Sequence, residues 1–303
     1  MGGRLYVVAT PIGNLADVTL RALEVLRAVP LVAAEDTRLA RRLFARHGIA
    51  TRLVSFHARS AATRLPELIG HLAGGADLAL VTDAGTPGVS DPGDELVRAW
   101  AAEGGVVVPI PGPSAVLAAV AASGVAGPRW AFEGFLPRSG RERKDRLGRI
   151  AADERGTLVF EAPGRVAATL RDLAAACGDD RPGAICRELT KLHEETVRGS
   201  LGELAAAATD GAVTLRGEFV LVVGARAGGR PSVAAPAAGD ALDDARAEVE
   251  RLVGAGVARG EAARRVAAGT GIPRRRLYGA PGEEGPAADE RGRPARRRMG
   301  EEG

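Results

Sequence analysis

Residues 81–93 read V-T-D-A-G-T-P-G-V-S-D-P-G, directly after the apolar run Leu78 to Val81. A strand that meets Gly85, Pro87, Gly88, Pro92 and Gly93 can neither continue nor turn at once into a helix. It becomes a rigid loop that exposes backbone N–H and C=O groups. At the carboxyl end of a strand in an α/β sheet, such a loop is where ligands sit. The device recurs at 109–115, P-I-P-G-P-S-A, after Val106–Val108. Two Gly/Pro loops after successive strands point to one small-molecule site built largely from backbone.

The intervening sequence supports that frame. Short apolar runs at Leu5–Ala9, Leu31–Ala34, Leu53–Phe56, Leu78–Thr82 and Val106–Ile110 alternate with amphipathic stretches at Thr19–Ala28, Arg38–His47, Arg64–Ala73 and Asp94–Glu103. Leu20, Leu23 and Val25/Leu26 give the stripe of a helix lying on a sheet. Alternation of this kind predicts a mostly parallel sheet with right-handed crossovers. A second α/β unit is expected after Ala126-Gly127-Pro128. Its strands are predicted at Trp130–Phe135, Thr157–Glu161, Gly183–Arg187, Val197–Ser200 and Phe219–Val223, and its helices at Arg141–Ala152, Arg165–Cys177 and Leu201–Ala208. The predicted organisation is an N-terminal α/β domain over 1–126, a second over 127–225, a linker over 226–240, a small helical extension over 241–280 and a disordered tail over 281–303.

Composition narrows the chemistry. Aromatic residues make up only 3% of 303 residues, so Ala, Gly, Val and Leu carry the packing, as suits close helix–sheet contact. Arg outnumbers Lys, which fits phosphate or RNA contact and equally a GC-rich genome. Cys177 and Cys186 lack zinc-type spacing and are expected as free thiols in a reducing cytoplasm. No stretch reads as a signal peptide or membrane span. Neither G-x-x-x-x-G-K-[ST] nor G-x-G-x-x-G is present, which removes the main sequence support for nucleoside triphosphate and nicotinamide chemistry.

Further motifs lie at the predicted strand ends: A-T-P-I-G-N-L (9–15), A-E-D-T-R (34–38), S-F-H-A-R-S (55–60), F-E-G-F-L-P-R (132–138), V-F-E-A-P-G-R (159–165) and R-E-L-T-K-L-H-E-E-T (187–196). Asp36 could simply cap the helix that follows, and His57 is a lone histidine. The charged segment 138–146 reads as a solvated helix that could also meet phosphates. The last motif mixes both charge signs more densely than solubility requires.

In this order the motifs resemble the tetrapyrrole methylase superfamily over about residues 4–225, in particular its ribosomal RNA methyltransferase branch, and 241–280 is similar to a helix-turn-helix extension. One departure is visible: the branch usually continues S-F-H with His-Asn-Glu, where Ala58-Arg59-Ser60-Ala61 stand here. The resemblance implies two α/β domains of the class III methyltransferase type. It also implies S-adenosylmethionine as methyl donor without a metal, and transfer to the ribose 2′-hydroxyl of one cytidine in the decoding region of 16S rRNA within the 30S subunit. A cytoplasmic homodimer with no membrane association is implied too.

By the same resemblance the donor would be contacted by Ile12, Gly13, Asp83, Thr86, Val89, Ser114, Ala115, Phe160, Gly217 and Glu218. Asp36 and Lys191 are the implied catalytic pair, with Glu161 and Glu188 as alternatives; Asp83 is a further candidate proton acceptor. A lysine serves as base only where burial or nearby charge lowers its pKa. Arg38, Arg165 and Arg187 would meet the RNA. Two other readings stay open, a methylase of a small tetrapyrrole and a non-catalytic RNA-binding assembly factor.

Overall fold

A computed structural model describes residues 2–226, 240–270 and 272–277. The predicted linker and tail fall mostly or wholly outside the described residues. The chain divides into two compact units, the first ending at Gly228.

The first unit contains two sheets of five strands each. Sheet one is built from β1 (Arg4–Val8), β2 (Leu31–Ala34), β3 (Arg52–Ser55), β4 (Leu78–Val81) and β5 (Val106–Ile110), with helices α1 (Leu20–Ala28), α2 (Thr37–His47), α3 (Ala61–Ala73) and α4 (Asp94–Ala102) between them. Its order is β3-β2-β4-β1-β5, with every pair parallel. β2 and β4 are buried along their whole length, as strands covered by helices on both faces must be. Pro109 is tolerated in β5 because that strand is an edge.

The ends of the helices are written locally. Thr19 accepts the N–H of Ala22 to open α1, and Asp36 accepts that of Arg38 to open α2. α3 begins at Ala61, three residues before the predicted start, although Pro66 lies inside it. Ala61, Leu68 and Leu72 all bury against the sheet, and that packing outweighs the hydrogen bond the proline removes.

After β5 comes α5 (Ala115–Ser123), then the second sheet: β6 (Trp130–Phe135), α6 (Gly140–Ala152), β7 (Gly156–Glu161), α7 (Val166–Cys177), β8 (Pro182–Arg187), β9 (Glu195–Ser200), α8 (Leu201–Thr209) and β10 (Phe219–Val223). Its order is β6-β7-β10-β8-β9. Only β6 and β7 run parallel; the other three pairings are antiparallel, so this sheet is mixed. β9 starts two residues earlier than its apolar content predicts. Arg187 and Glu195 face each other across the two strands with a 3.0 Å ion pair, which extends the ladder through polar residues. A capping box between Ser200 and Glu203 starts α8.

α5 precedes the Ala126-Gly127-Pro128 turn, yet it lies on the second sheet. Val116 and Ala119 share a core cluster with Leu158, Ala184, Cys186 and Val220, and Ile12 from the loop after β1 joins the same cluster. Arg198 of β9 donates to the carbonyls of Ala122 and Ser123, satisfying the carboxyl end of α5.

The second unit holds α9 (Asp240–Gly254) and α10 (Arg259–Thr270), followed by a short 3-10 turn at Arg274–Leu277. Ala245, Val249, Ala262, Ala263, Val266 and Leu277 form its core. Arg251, Arg259, Arg264 and Arg265 pair with Glu248, Glu250 and Glu261.

Leu158 is fully buried where α5 meets the second sheet. Leu158→Ala is therefore expected to destabilise the protein by about 2–5 kcal/mol in denaturant unfolding.

Candidate functional site

Because sheet one is parallel, the loops after β1, β2, β4 and β5 all leave from its carboxyl edge. Hydrogen bonds between backbone groups, and from side chains to backbone, bind them together. Thr10 and Gly85 exchange a reciprocal pair, N–H to O at 2.8 and 3.0 Å, which ties the loop after β1 to the 82–93 loop. The Thr86 hydroxyl donates to the Pro113 carbonyl at 3.2 Å, tying 82–93 to 109–115. The Asp36 N–H donates to Asp83 Oδ1 at 2.9 Å, and the Asp83 N–H to Glu35 Oε2 at 3.3 Å, so the ends of β2 and β4 are laced as well.

These loops and the facing end of the second sheet enclose a cavity of about 430 Å³, within the usual range of small-ligand sites. Of the residues expected around a donor, Ile12, Asp83, Thr86, Val89, Ser114, Ala115, Phe160, Gly217 and Glu218 line it. Gly13 does not. It lies instead beneath Lys191, where an added Cβ would come within 2.4 Å of the lysine side chain. The walls differ in character. Val89, Phe135, Phe160, Leu189 and Val220 are apolar, and Phe135 meets Phe160 edge-on at 5.6 Å. Glu35, Asp83 and Asp91 form an acidic wall. Ser114 caps the amino end of α5, which adds a positive helix terminus. Among the described residues, no group of three or more His, Cys, Asp or Glu is placed to hold a metal ion.

The expected catalytic and RNA-binding residues separate on inspection. Glu35 enters the cavity, whereas the adjacent Asp36 is occupied as the cap of α2. Its carboxylate takes the Arg38 N–H at 2.8 Å and the guanidinium at 2.6 Å. The hydrogen bonds from the Arg38 side chain, then from its backbone, bring Asp36 down to about 2, so as a proton acceptor it is weak. Lys191 contacts Glu188 at 2.7 Å and Glu218 at 3.2 Å. Burial works to lower its pKa, but those two carboxylates outweigh it and the net direction is upward. Lys191 is thus held in its charged form, as a donor at the rim.

Glu161 lines the cavity but is already engaged. It accepts from the Ala162 N–H at 2.8 Å and the Thr169 hydroxyl at 2.7 Å, and pairs with Arg165 at 3.2 Å. Glu188 accepts from Lys191 and from the Glu218 N–H at 2.9 Å. Arg165 also donates to the Leu136 carbonyl, and Arg187 is taken up by Glu195. Of the three expected RNA-binding arginines, only Arg38 is largely exposed, and it heads a helix on which Arg41, Arg42 and Arg46 are exposed too. His57 Nδ1 accepts backbone N–H groups of Arg59 and Ser60, which consumes its lone pair locally.

Glu35, Asp91 and the α2 arginines beyond Arg38, at 41, 42 and 46, were not expected from the sequence. The helical spacing of 38, 41/42 and 46 was a signal for the last. Nothing in the sequence separates Glu35 from Asp36, because the choice depends on which side of the strand end each faces.

The loop from Glu188 to Glu194 is held in an unusual shape. Glu188 and Thr190 both have positive φ, 49° and 68°. The Glu188 carboxylate packs beneath Gly217, whose φ is 96° and where a Cβ would come within 2.4 Å of it. Hydrogen bonding from Lys191 is the main reason that the Glu188 pKa is lowered, with burial opposing it. A carboxyl with a lower pKa in the folded state contributes stability above its unfolded pKa, and loses it as pH falls through the folded one. Glu188→Gln is expected to unfold more readily than wild type near neutral pH. The gap should close below the ordinary glutamate pKa of about 4.3, as read from denaturation midpoints across pH.

Comparison with known proteins bears on what such a site does. Residues 4–205 match the family model of tetrapyrrole (corrin/porphyrin) methylases. The ribosomal RNA small subunit methyltransferase I of a Synechocystis strain is 44% identical over 277 residues, covering 91% of this chain and 96% of that protein. Among solved structures, a cobalt precorrin-4 methyltransferase superposes with a TM-score of 0.57 at 17% identity, over 73% of this chain and 94% of that one. A uroporphyrin-III C-methyltransferase from Thermus thermophilus, complexed with S-adenosylhomocysteine, superposes with a TM-score of 0.54 at 20% identity, over 73% and 97%. The chain, a methyltransferase, belongs to the tetrapyrrole methylase family and within it to the ribosomal RNA small subunit methyltransferase I group.

Proposed function

We propose that the cavity binds S-adenosylmethionine and that the protein methylates the ribose 2′-hydroxyl of one cytidine in the decoding region of 16S rRNA, in the 30S subunit and in the cytoplasm. The observation that carries this reading is the pairing of an acidic wall with an apolar one in a single cavity, beside a helix of exposed arginines. The donor supplies a methyl group already activated on a sulfonium cation. Glu35 and Asp83 match that positive charge. Phe135 and Phe160 offer a surface for the adenine, and the amino end of α5 at Ser114 and Ala115 faces a carboxylate. Ile12, Thr86, Val89, Gly217 and Glu218 complete the contact, and Gly13 acts one step away by seating Lys191.

On the acceptor side, Lys191 is a rim cation suited to a phosphate or a developing charge. Asp36 orients Arg38, and Arg38, Arg41 and Arg42 offer the phosphate contacts that set RNA register. Arg165 and Arg187 shape the site through Glu161 and Glu195 rather than by meeting RNA. Calorimetry on the wild-type protein is expected to show binding of S-adenosylmethionine, and Thr86→Arg, which places a cation against a cationic ligand, is expected to abolish it. With labelled donor, 30S particles or 16S rRNA should take up label at a ribose. Label on a tetrapyrrole instead, or on neither, would refute the assignment.

The protein is further proposed to act as a homodimer. α5 is apolar at every position but Ser123, and Leu117 is more than half exposed on it; a helix apolar on all sides is normally covered. Light scattering at micromolar concentration should return twice the chain mass, and Leu117→Glu should return the mass of one chain.

A further inference from the structure

The loop between β4 and α4 contains one strained residue that is not glycine. Ser90 has φ 66°, a conformation that persists only where the surroundings enforce it and that gathers at functional sites. Its hydroxyl lies against the other sheet. β6 loses its regular register between Phe132 and Phe135, Gly134 has φ 62°, and a Cβ on Gly134 would lie within 2.8 Å of the Ser90 hydroxyl. Ser90 is thus seated against the irregularity in β6, and the turn it makes delivers the next residue, Asp91, half-buried into the cavity wall.

Three carboxylates share that wall, and their surroundings differ. Asp83 accepts the Asp36 N–H, and Glu35 accepts the Asp83 N–H. Among the described residues no backbone N–H donates to Asp91, and neither lysine nor arginine pairs with any of the three; the polar neighbour of Asp91 is the Thr82 hydroxyl. Behind Glu35 lie Asp36 and His57, and Asp94 opens α4. Across the cavity Glu161 pairs with Arg165, and Lys191 is shared by Glu188 and Glu218.

We propose that Asp91 is the catalytic residue that accepts the proton of the acceptor hydroxyl during methyl transfer. The inference rests on the reading that the acceptor is a hydroxyl group. In that step an oxygen lone pair forms the new O–CH3 bond and the S–CH3 bond breaks. Its electron pair stays on sulfur as a neutral thioether, and the hydroxyl proton passes to the Asp91 carboxylate. Burial, and then the charges of Glu35 and Asp83, push the Asp91 carboxyl up to about 7. Its deprotonated form is therefore a stronger base than an ordinary aspartate, and still populated near neutral pH.

Two measurements test this. The first is carboxyl 13C NMR of the ligand-free protein. One aspartate signal, lost in Asp91→Asn, should titrate near 7, and in Glu35→Gln it should titrate at lower pH because a neighbouring like charge is gone. The second is single-turnover methylation of 30S particles at saturating S-adenosylmethionine, with donor affinity and thermal stability measured alongside. Asp91→Asn should slow transfer about 100-fold and remove the rise in rate through pH 7. Glu35→Gln should move that rise to lower pH, and it carries the kinetic test if Asp91→Asn does not fold. Titration of Asp91 in the ordinary aspartate range would overturn the assignment. So would transfer by Asp91→Asn at the wild-type rate, or a loss of donor affinity with the saturated rate unchanged, which would make Asp91 a donor-binding group. If the wild-type protein places no methyl on any hydroxyl, the reading of the reaction fails and the inference fails with it. If wild type methylates a ribose and Asp91→Asn does so equally fast, only the inference fails.

Discussion

A parallel sheet sends every carboxyl end to the same edge, and the cavity of this protein depends on that geometric constraint. The four connections that build its first half leave from four different strands of one sheet, yet emerge side by side. Loops so placed still need a fixed shape, and here hydrogen bonds to backbone groups provide it. The reciprocal Thr10–Gly85 pair, the Thr86–Pro113 bond and the Asp36–Asp83–Glu35 chain join them into one surface. The prolines fix φ in these segments and the hydrogen bonds hold them in place before any ligand arrives, so less ordering is left to occur on binding.

The second half of the cavity comes from a sheet of different construction, and α5 is what joins it to the first. That helix follows the last strand of sheet one but is packed on sheet two, with Arg198 closing its carboxyl end. Ile12 enters the same cluster from the loop after β1. Ile12 therefore ties the loop after β1 into the core formed by α5 and sheet two. Ser90 and Gly134 meet at the cavity wall, and Gly13 and Lys191 meet at its rim. An added Cβ at position 13 would displace the Lys191 side chain, and position 134 has a positive φ of 62° that favours glycine.

Electrostatics then divides the charged residues by task. Asp36 is paired with Arg38, Glu161 with Arg165, and Lys191 is shared by Glu188 and Glu218. On the acidic wall, Glu35, Asp83 and Asp91 lack such partners among the described residues. An unpaired group of like charges is costly in a folded protein, and its presence in a ligand cavity is consistent with a ligand that brings positive charge.

Much of the fold was legible from the chain itself. Apolar runs, capping residues and Gly/Pro loops are local features, so strands such as Leu31–Ala34 and Val106–Ile110 and the caps Thr19 and Ser114 can be read without knowing their neighbours. The motifs also indicated the family, and most of the residues expected around a donor do line one cavity. What the sequence could not decide was direction and partnership. Glu35 and Asp36 are adjacent and chemically alike, but one faces the cavity and the other caps a helix, because successive residues at a strand end point to opposite sides. Lys191 reads as a candidate base until Glu188 and Glu218 are placed beside it. Asp91 reads as one more polar residue in a turn until Glu35 and Asp83 are placed beside it in one cavity wall. Local conformation was determined by the sequence alone; which charges face each other, and hence which carboxyl can hold a proton, was decided only when two sheets came together.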